Sequence, residues 1–154
     1  MAGHCRIRQA NSADAEGLAA LERAIFSDAW PASAFEARGP GERAFVADDE
    51  TGVLAGFIVG RAVLDEGEIL DLAVRSDARR RGVGTQLLDA LLGALQGAGV
   101  ARVHLEVRAS NVGAQSFYRR HGFLVSGRRR AYYRTPPEDA VLMGRDVTPV
   151  TGSA

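Results

Sequence analysis

The segment "ILDLAVRSDARRRGVGTQLLDALL", residues 69–92, has the pattern of a strand, a loop and a helix in immediate succession. The strand is predicted to end at Val74, and the arginine-rich loop leads through Gly82 and Gly84 into a leucine-rich helix. Glycines at a helix start let backbone N–H groups approach an anion, and the helix dipole favours negative charge there. The segment therefore predicts a pyrophosphate site in an α/β protein. It is not the dinucleotide fingerprint, because Leu87 stands where that motif needs its third glycine.

The same loop, taken alone, equally fits a glycine-rich helix start beside a solvated run of arginines. What decides between the two is the rest of the chain. Alternating or apolar runs predict six further strands, and helical spacing predicts three further helices, in the order β-α-α-β-β-β-α-β-α-β-β. Neither a repeat nor a linker divides them. We predict one α/β domain at residues 4–147, a mixed central sheet flanked by helices, and a frayed tail at residues 148–154.

Composition excludes several function classes. The formal net charge is +0, which does not favour binding to nucleic acid through phosphate neutralisation. All nineteen basic residues are arginine, so a Walker A lysine and a Schiff-base lysine are absent. Cys5 is the single cysteine, and the three histidines have no metal-ligand spacing, so no metal site is expected. With no apolar run of membrane-spanning length and no signal-peptide pattern, the expected location is the cytoplasm, without membrane contact.

A second informative stretch is "LEVRASNVGAQSFYRRHGF", residues 105–123. It begins as a strand, yet Glu106 stands between the apolar Leu105 and Val107, and the helix that follows carries Tyr118. A partly desolvated carboxylate is suited to act as a base, and a phenol of pKa about 10 can donate a proton to a thiolate. Two other interpretations stay open: Glu106 on an exposed sheet face beside an arginine such as Arg108, and Tyr118 as an ordinary core aromatic.

The two stretches together resemble the GNAT acetyltransferase superfamily, and the resemblance covers nearly the whole chain. Its signatures here are R-x-x-G-x-G after a strand ending in "LAV", and "SN…FYRRHGF" after a second strand. The resemblance implies that the loop amides hold the pyrophosphate of acetyl-coenzyme A and that the preceding strand pairs with the pantetheine arm. The cofactor contacts expected from it are Leu72, Ala73, Val74, Arg79, Arg80, Arg81, Gly82, Val83, Gly84, Thr85 and Asn111.

"VLDE", "LEVRASN", "FYRRHGF" and "RRRAYYRTPPEDAVLM" are similar to the bacterial ribosomal-protein-alanine N-acetyltransferases within that superfamily. The resemblance implies that Glu106 accepts the proton of the amine and that Tyr118 donates one to the departing thiolate. It also implies a substrate that begins with alanine, the N-terminal peptide of a small-subunit ribosomal protein. The region around Trp30 matches less clearly, and the glycine loop carries arginine where glutamine is common.

Several features of the substrate site stay open at this stage. Tyr132 and Tyr133 fit the wall of a peptide site as well as edge packing. The acidic residues at positions 65–68 and 138–139 would favour a basic peptide if they border the site, although solvated surface is the simpler interpretation. The alternative functions are acetylation of another protein N-terminus, a lysine side chain or a small-molecule amine, and a non-catalytic acyl-coenzyme A-binding module.

Overall fold

Seven strands and four α-helices follow one another in the predicted order within residues 5–26, 29–36 and 39–148, the part of the chain that the computed structural model describes. The expected domain start at residue 4 and tail residues 149–154 lie outside it. The helices are α1 (Ala15–Ile25), α2 (Ser33–Glu36), α3 (Val83–Gly97) and α4 (Val112–Arg120). The strands are β1 (Arg6–Gln9), β2 (Glu42–Asp48), β3 (Leu54–Val63), β4 (Glu66–Val74), β5 (Arg102–Arg108), β6 (Leu124–Arg134) and β7 (Pro137–Asp146).

Local signals explain where the helices begin and end. The Asn11 side chain accepts a hydrogen bond from the Ala13 N–H, and Asp14 reaches back to the Asn11 N–H, which forms a capping box before α1. Gly82 precedes α3 with φ of 80°, a left-handed conformation that a glycine adopts without a Cβ clash. Gly122 follows α4 with φ of 87°, a left-handed conformation that commonly ends a helix at a glycine.

The seven strands form one mixed sheet in the order β1-β2-β3-β4-β5-β7-β6. Every neighbouring pair is antiparallel except β4 and β5, which are parallel and are joined by the crossover helix α3. A parallel pair needs such a crossover, whereas antiparallel pairs can be joined by short turns. The predicted α/β class and the mixed sheet flanked by helices are confirmed.

Both faces of the sheet are buried, because alternate residues of β3 enter different apolar clusters. Ile58 packs with Leu87, Leu91 and the other apolar residues of α3 on one face. Phe57 packs with Leu18 of α1 and the α2 residues on the other face. Residues one apart on a strand point to opposite faces, so a continuous apolar run such as "GFIV" is what a sheet covered on both sides requires.

The feature that creates the site is the short pairing between β4 and β5. Their register runs from Glu66 opposite Arg102 to Ile69 opposite Leu105, and stops there. Leu70, the next residue, is an extra residue in the β3–β4 register, since Gly60 pairs with Ile69 and Val59 with Asp71. A bulge of this kind bends and twists a strand. Beyond it the two parallel strands separate and leave a space in the middle of the sheet.

Candidate active site

A cavity of about 190 Å³ lies where β4 and β5 separate. Residues 69–72 of β4 and residues 105–108 of β5 line its two sides, and Asn111, Ala114 and Tyr118 reach it from the end of β5 and from α4. The structure thus brings together the two predicted catalytic residues, Glu106 and Tyr118, in one cavity. The β4–β5 pairing stops at Ile69 with Leu105, so β5 gives no backbone partner to Leu72, and the carbonyl oxygen of Val74 accepts a hydrogen bond of 3.1 Å from Arg79.

Glu106 is the first residue of β5 beyond the last β4–β5 pair, Ile69 with Leu105. Its neighbours Leu105 and Val107 enter the core on the opposite face, while the side chain of Glu106 is 22% exposed. The hydroxyl of Tyr132 donates a hydrogen bond of 3.3 Å to Oε2, and an Arg129 nitrogen lies 3.7 Å from Oε1. The carboxylate is therefore half-buried and held by β6, with one edge toward the cavity.

The arginine expected as a partner for Glu106 is engaged elsewhere. Arg108 forms an ion pair of 3.2 Å with Glu138 and donates to the carbonyl oxygens of Thr135 and Pro136. Its guanidinium also lies 4.3 Å from the ring centre of Tyr133. Arg108 therefore ties the end of β5 to the β6–β7 turn, and Glu106 stays free of it.

Tyr118 is both a core residue and a cavity residue, so the two interpretations of it from the sequence are compatible. It is 6% exposed, packs against Phe123 and Phe117, and lines the cavity. Burial raises the pKa of its phenol well above the ordinary value, and the Asp71 carboxylate raises the pKa further by opposing a second negative charge. The phenol therefore keeps its proton at neutral pH.

A second cavity, of about 600 Å³, continues from the first toward the glycine loop and shares Leu72, Asn111 and Tyr118 with it. Gly84 lies at its wall, where a Cβ atom would be 3.3 Å from the Phe117 ring and 3.9 Å from Val74. The first amides of α3 have no intrahelical acceptor and point out of the helix start. An elongated ligand with an anionic group at the loop end fits this pair of cavities.

The predicted cofactor residues divide into two groups. Those that line the larger cavity are Leu72, Ala73, Val74, Arg79, Gly84 and Asn111. Arg80, Arg81, Gly82, Val83 and Thr85 are not among its lining residues. Of these, Val83 is buried in the core and only its backbone can serve a ligand, and the Thr85 hydroxyl lies 3.1 Å from Nε2 of His121. Asn111 also caps α4 by accepting from the Ala114 N–H.

A groove of about 650 Å³ opens on the other side of Glu106. Trp30 and Tyr133 line both the groove and the small cavity, and Tyr132 lines the groove. The two tyrosine rings stand edge to face with centres 5.0 Å apart. The groove shares Glu106 with the small cavity, and the larger cavity shares Tyr118 with it, so both open into the small cavity. Two substrates that enter from the groove and from the larger cavity could therefore react at one point.

The acidic residues near the groove are less available than the sequence suggested. Glu68 forms an ion pair of 2.6 Å with Arg61, and Asp139 one of 3.0 Å with Arg128. Glu138 accepts hydrogen bonds from Ser110 and from Arg108, and these contacts, Ser110 first, lower the pKa of its carboxyl. These contacts compensate much of the negative charge that was expected to attract a basic peptide.

Sequence reasoning missed two carboxylates in the small cavity. Asp71 lies on β4 and Glu22 on α1, where it is only 2% exposed. A signal for Glu22 was present, because it stands four residues after Leu18 and three after Ala19, on the apolar face of the helix. No signal pointed to Asp71, since its position depends on the bulge at Leu70.

Within residues 5–26, 29–36 and 39–148 there is no group of three or more His, Cys, Asp or Glu side chains arranged to hold a metal ion. None of the helices described is long and apolar enough to cross a membrane.

Comparison with known proteins agrees with this geometry. A profile of the acetyltransferase (GNAT) family matches residues 9–123. Over 101 residues the chain is 40% identical to [Ribosomal protein bS18]-alanine N-acetyltransferase of Escherichia coli (strain K12), covering 64% of this chain and 68% of the relative. Over 142 residues it is 39% identical to N-alpha-acetyltransferase RimI of Mycobacterium tuberculosis, with 87% of each chain covered.

The fold is shared as well. The crystal structure of the ribosomal-protein-S18-alanine N-acetyltransferase from Escherichia coli superposes with a TM-score of 0.85 at 29% identity, over 97% of this chain and 98% of that one. The predicted family and enzyme class, an N-acetyltransferase, are confirmed. With its split β4–β5 pair, its glycine loop and a family profile that spans both, this chain belongs to the acetyltransferase (GNAT) family.

Proposed function

We propose that this enzyme transfers the acetyl group of acetyl-coenzyme A to the α-amine of an N-terminal alanine on a small-subunit ribosomal protein. The observation that carries the proposal is the small cavity that contains both Glu106 and Tyr118 and that shares Glu106 with the groove and Tyr118 with the larger cavity. The relatives named for the same reaction on ribosomal protein bS18 support the choice of substrate. A ribosomal substrate would place the reaction in the cytoplasm.

The acetyl donor, acetyl-coenzyme A, lies along β4 in this proposal. The backbone groups of Leu72 and the N–H of Val74 bind the pantetheine arm on the edge that β5 leaves open, and Ala73, whose backbone groups face β3, lines the cavity. The amides of the loop and of the first turn of α3, residues 79–85, bind the pyrophosphate. Asn111 contacts the arm from the start of α4. For acetyl transfer from a thioester to an amine, the chain has to position the two substrates and supply one base and one acid.

Glu106 is the base. An α-ammonium with pKa of about 7.7–8.0 needs only a modest proton acceptor at neutral pH, and Glu106 receives its proton directly or through one water. The amine nitrogen then forms a bond to the acetyl carbon, and a backbone N–H of β4 stabilises the charge that develops on the carbonyl oxygen. The Tyr132 hydroxyl keeps the carboxylate of Glu106 oriented toward the cavity.

Tyr118 is the acid. As the bond from the acetyl carbon to sulfur breaks, Tyr118 gives its phenolic proton to the sulfur, and the products are the N-acetyl peptide and the free thiol. The nitrogen, which still carries two protons after it bonds to the acetyl carbon, loses one of them to solvent. The phenol of Tyr118 takes up a proton from solvent, and Glu106 releases the one it took. The pKa of Tyr118, raised by burial and then by Asp71, ensures that the proton is present when the cycle starts.

The test uses three peptides of one sequence with acetyl-coenzyme A and detection of the released thiol. The first begins with a free alanine, the second has its α-amine blocked and carries a free lysine, and the third begins with tryptophan. We expect turnover of the first peptide only, because a small first residue fits beside Tyr133 and a large one collides with the wall. Equal acetylation of the blocked peptide at lysine would show side-chain acetylation instead, and turnover only of small amines would point to a small-molecule enzyme.

A further inference from the structure

Glu22 is a buried carboxylate with only half of its hydrogen-bonding capacity used. Oε2 accepts a hydrogen bond of 3.1 Å from the backbone N–H of Trp30. Oε1 is buried and has no hydrogen-bond partner in the part of the chain that the structure describes. Leaving a buried carboxylate oxygen without a donor is costly, so native proteins rarely do it unless a water or a ligand supplies the donor.

The position of Glu22 indicates which donor that is. It lines the small cavity together with Glu106 and Tyr118. The cavity of about 190 Å³ corresponds to roughly six waters at about 30 Å³ each, so one aminoacyl unit fills it. The residue that Glu22 anchors, Trp30, lines both this cavity and the groove. Glu22 thus lies at the point where a peptide from the groove would place its first residue.

We propose, on the basis of the function proposed above, that Oε1 of Glu22 accepts a hydrogen bond from the peptide N–H that joins the first and second residues of the substrate. The α-amine itself is committed to Glu106 and to the acetyl carbon, and the next donor along the main chain is this N–H. The other cavity carboxylate, Asp71, also has one buried oxygen, Oδ2, that accepts no hydrogen bond in the described part of the chain, but that side chain interacts within the chain and its charge acts on Tyr118. Glu22 instead holds Trp30, which lines the groove from which the peptide comes. Glu22 is therefore a specificity-determining residue that recognises a peptide rather than a simple amine.

The test follows the logic of a double-mutant cycle, in which the enzyme and the substrate are changed separately and together. The two substrates are an Ala-first peptide and the same peptide N-methylated at its second residue, which lacks only that N–H. The two enzymes are the parent and Glu22→Gln, whose amide oxygen can still accept from Trp30 while its NH₂ group replaces Oε1. A contact that binds the substrate and the transition state equally well raises KM when it is lost and leaves kcat nearly unchanged. For the parent we expect methylation to raise KM about tenfold, as for a hydrogen bond to a charged group.

For Glu22→Gln we expect KM for the unmethylated peptide to rise about tenfold, and methylation to add less than about twofold, since the bond is already lost. The matched control is Glu16→Gln, a change of the same kind at an exposed position of the same helix, which should keep the full methylation effect. Unchanged acetyl-coenzyme A affinity and thermal midpoint show that Glu22→Gln is folded. If it does not fold, Glu22→Asp, which withdraws the oxygen by one methylene, takes its place in the cycle.

Equal methylation effects in the parent and in the Glu22 variant would overturn the inference and leave the proposed function intact. A parent enzyme indifferent to methylation would overturn it as well. No turnover of the unmethylated peptide by the parent would instead overturn the proposed function, and the inference with it.

Discussion

Glu106 and Tyr118 share one cavity, but the protein holds them in opposite ways. Glu106 is half-buried on a strand and receives a hydrogen bond from Tyr132, with Arg129 nearby, so its carboxylate can exchange protons with solvent. Tyr118 is enclosed by aromatic rings and by the Asp71 charge, so its phenol keeps its proton. These environments suit the proposed roles, because the base has to accept a proton from the amine while the acid has to keep its proton until the sulfur departs.

Replacing Glu106 with Gln removes the proposed proton acceptor and preserves the shape of the side chain and its contact with Tyr132. We expect kcat at neutral pH to fall by about 10²–10⁴, measured by thiol release with an Ala-first peptide. The defect should shrink as pH rises past the α-amine pKa of about 8, because the amine then arrives neutral without help. Glu16→Gln, at an exposed position, is the control. A parent-like rate would leave only proximity of amine and thioester as the source of catalysis.

Replacing Tyr118 with Phe keeps the core packing and removes only the hydroxyl. We expect kcat to fall by about 10²–10⁴ with little change in acetyl-coenzyme A affinity. Because the pKa of the phenol is raised above 10, its proton is present at every pH below that value, and the parent should show no loss of rate from phenol ionisation between pH 7 and 10. A rate profile that declines near pH 9 with an apparent pKa absent from Tyr118→Phe would contradict this assignment.

At the scale of elements, periodicity predicted what each segment is but not where neighbouring strands part. The leucine-rich helix predicted after Gly82 and Gly84 is α3, Val83–Gly97, because leucines at helical spacing and a starting glycine are local signals. The end of β4–β5 pairing at Ile69 and Leu105 depends on a bulge and on contacts between segments far apart in the chain. Glu106 was identified because its strand pattern is local, whereas Asp71 was missed because its place in the cavity depends on the bulge.

The start of α3 lies against α4 next to the glycine loop, and this contact allows the proposed cofactor site to be tested. A side chain at Gly84 would press on the Phe117 ring and on Val74 at the wall of the larger cavity. We expect Gly84→Val to raise the Kd for acetyl-coenzyme A roughly tenfold or more by calorimetry, since overpacking of this kind costs about 1–3 kcal/mol. The matched control is Gly93→Val in the same helix, where a Cβ meets nothing within 4 Å. Cofactor binding as tight as in the parent would show that the loop assignment is wrong.

The β2–β3 turn and the loop after β4 are joined by Asp49. Its carboxylate accepts hydrogen bonds from the Thr51 hydroxyl, the Val53 N–H and Arg75, which in that order hold its pKa well below the usual range. The folded state therefore binds a proton less readily than the unfolded state, so this contribution to stability is present above the unfolded pKa near 4 and is lost as pH falls below it.

We expect Asp49→Asn to lower the urea midpoint at pH 7 and to differ less from the parent at pH 3. The neighbouring change Glu50→Gln should leave the midpoint at both pH values as it is, and an Asp49→Asn midpoint equal to that of the parent at pH 7 would contradict the role of the turn.

At the scale of the whole molecule, charges are balanced and paired rather than collected into one field. The chain carries nineteen arginines and nineteen acidic residues. Acidic groups around the groove have arginine neighbours: Glu68 with Arg61, Glu106 with Arg129, Glu138 with Arg108 and Asp139 with Arg128. In the proposed function, selection of an N-terminus therefore depends on the shape of the cavity and on main-chain hydrogen bonds more than on long-range attraction.

A basic peptide should accordingly gain only a small advantage. Arginines at the second to fourth positions can still approach the exposed acidic residues of the β3–β4 hairpin, Asp65 and Glu66. Exposed pairs are worth about 0.2–1 kcal/mol, so replacing one such arginine with glutamine should raise KM by no more than about fivefold at low salt. The difference should largely disappear at about 0.5 M NaCl, where the Debye length is only a few ångströms.

The measurement is KM for both peptides at the two salt concentrations, with Asp65→Asn as the enzyme variant that should reduce the low-salt difference. A preference of a hundredfold that survives high salt would mean that the arginine enters a desolvated pocket, and the shape-based account of the substrate would then be wrong.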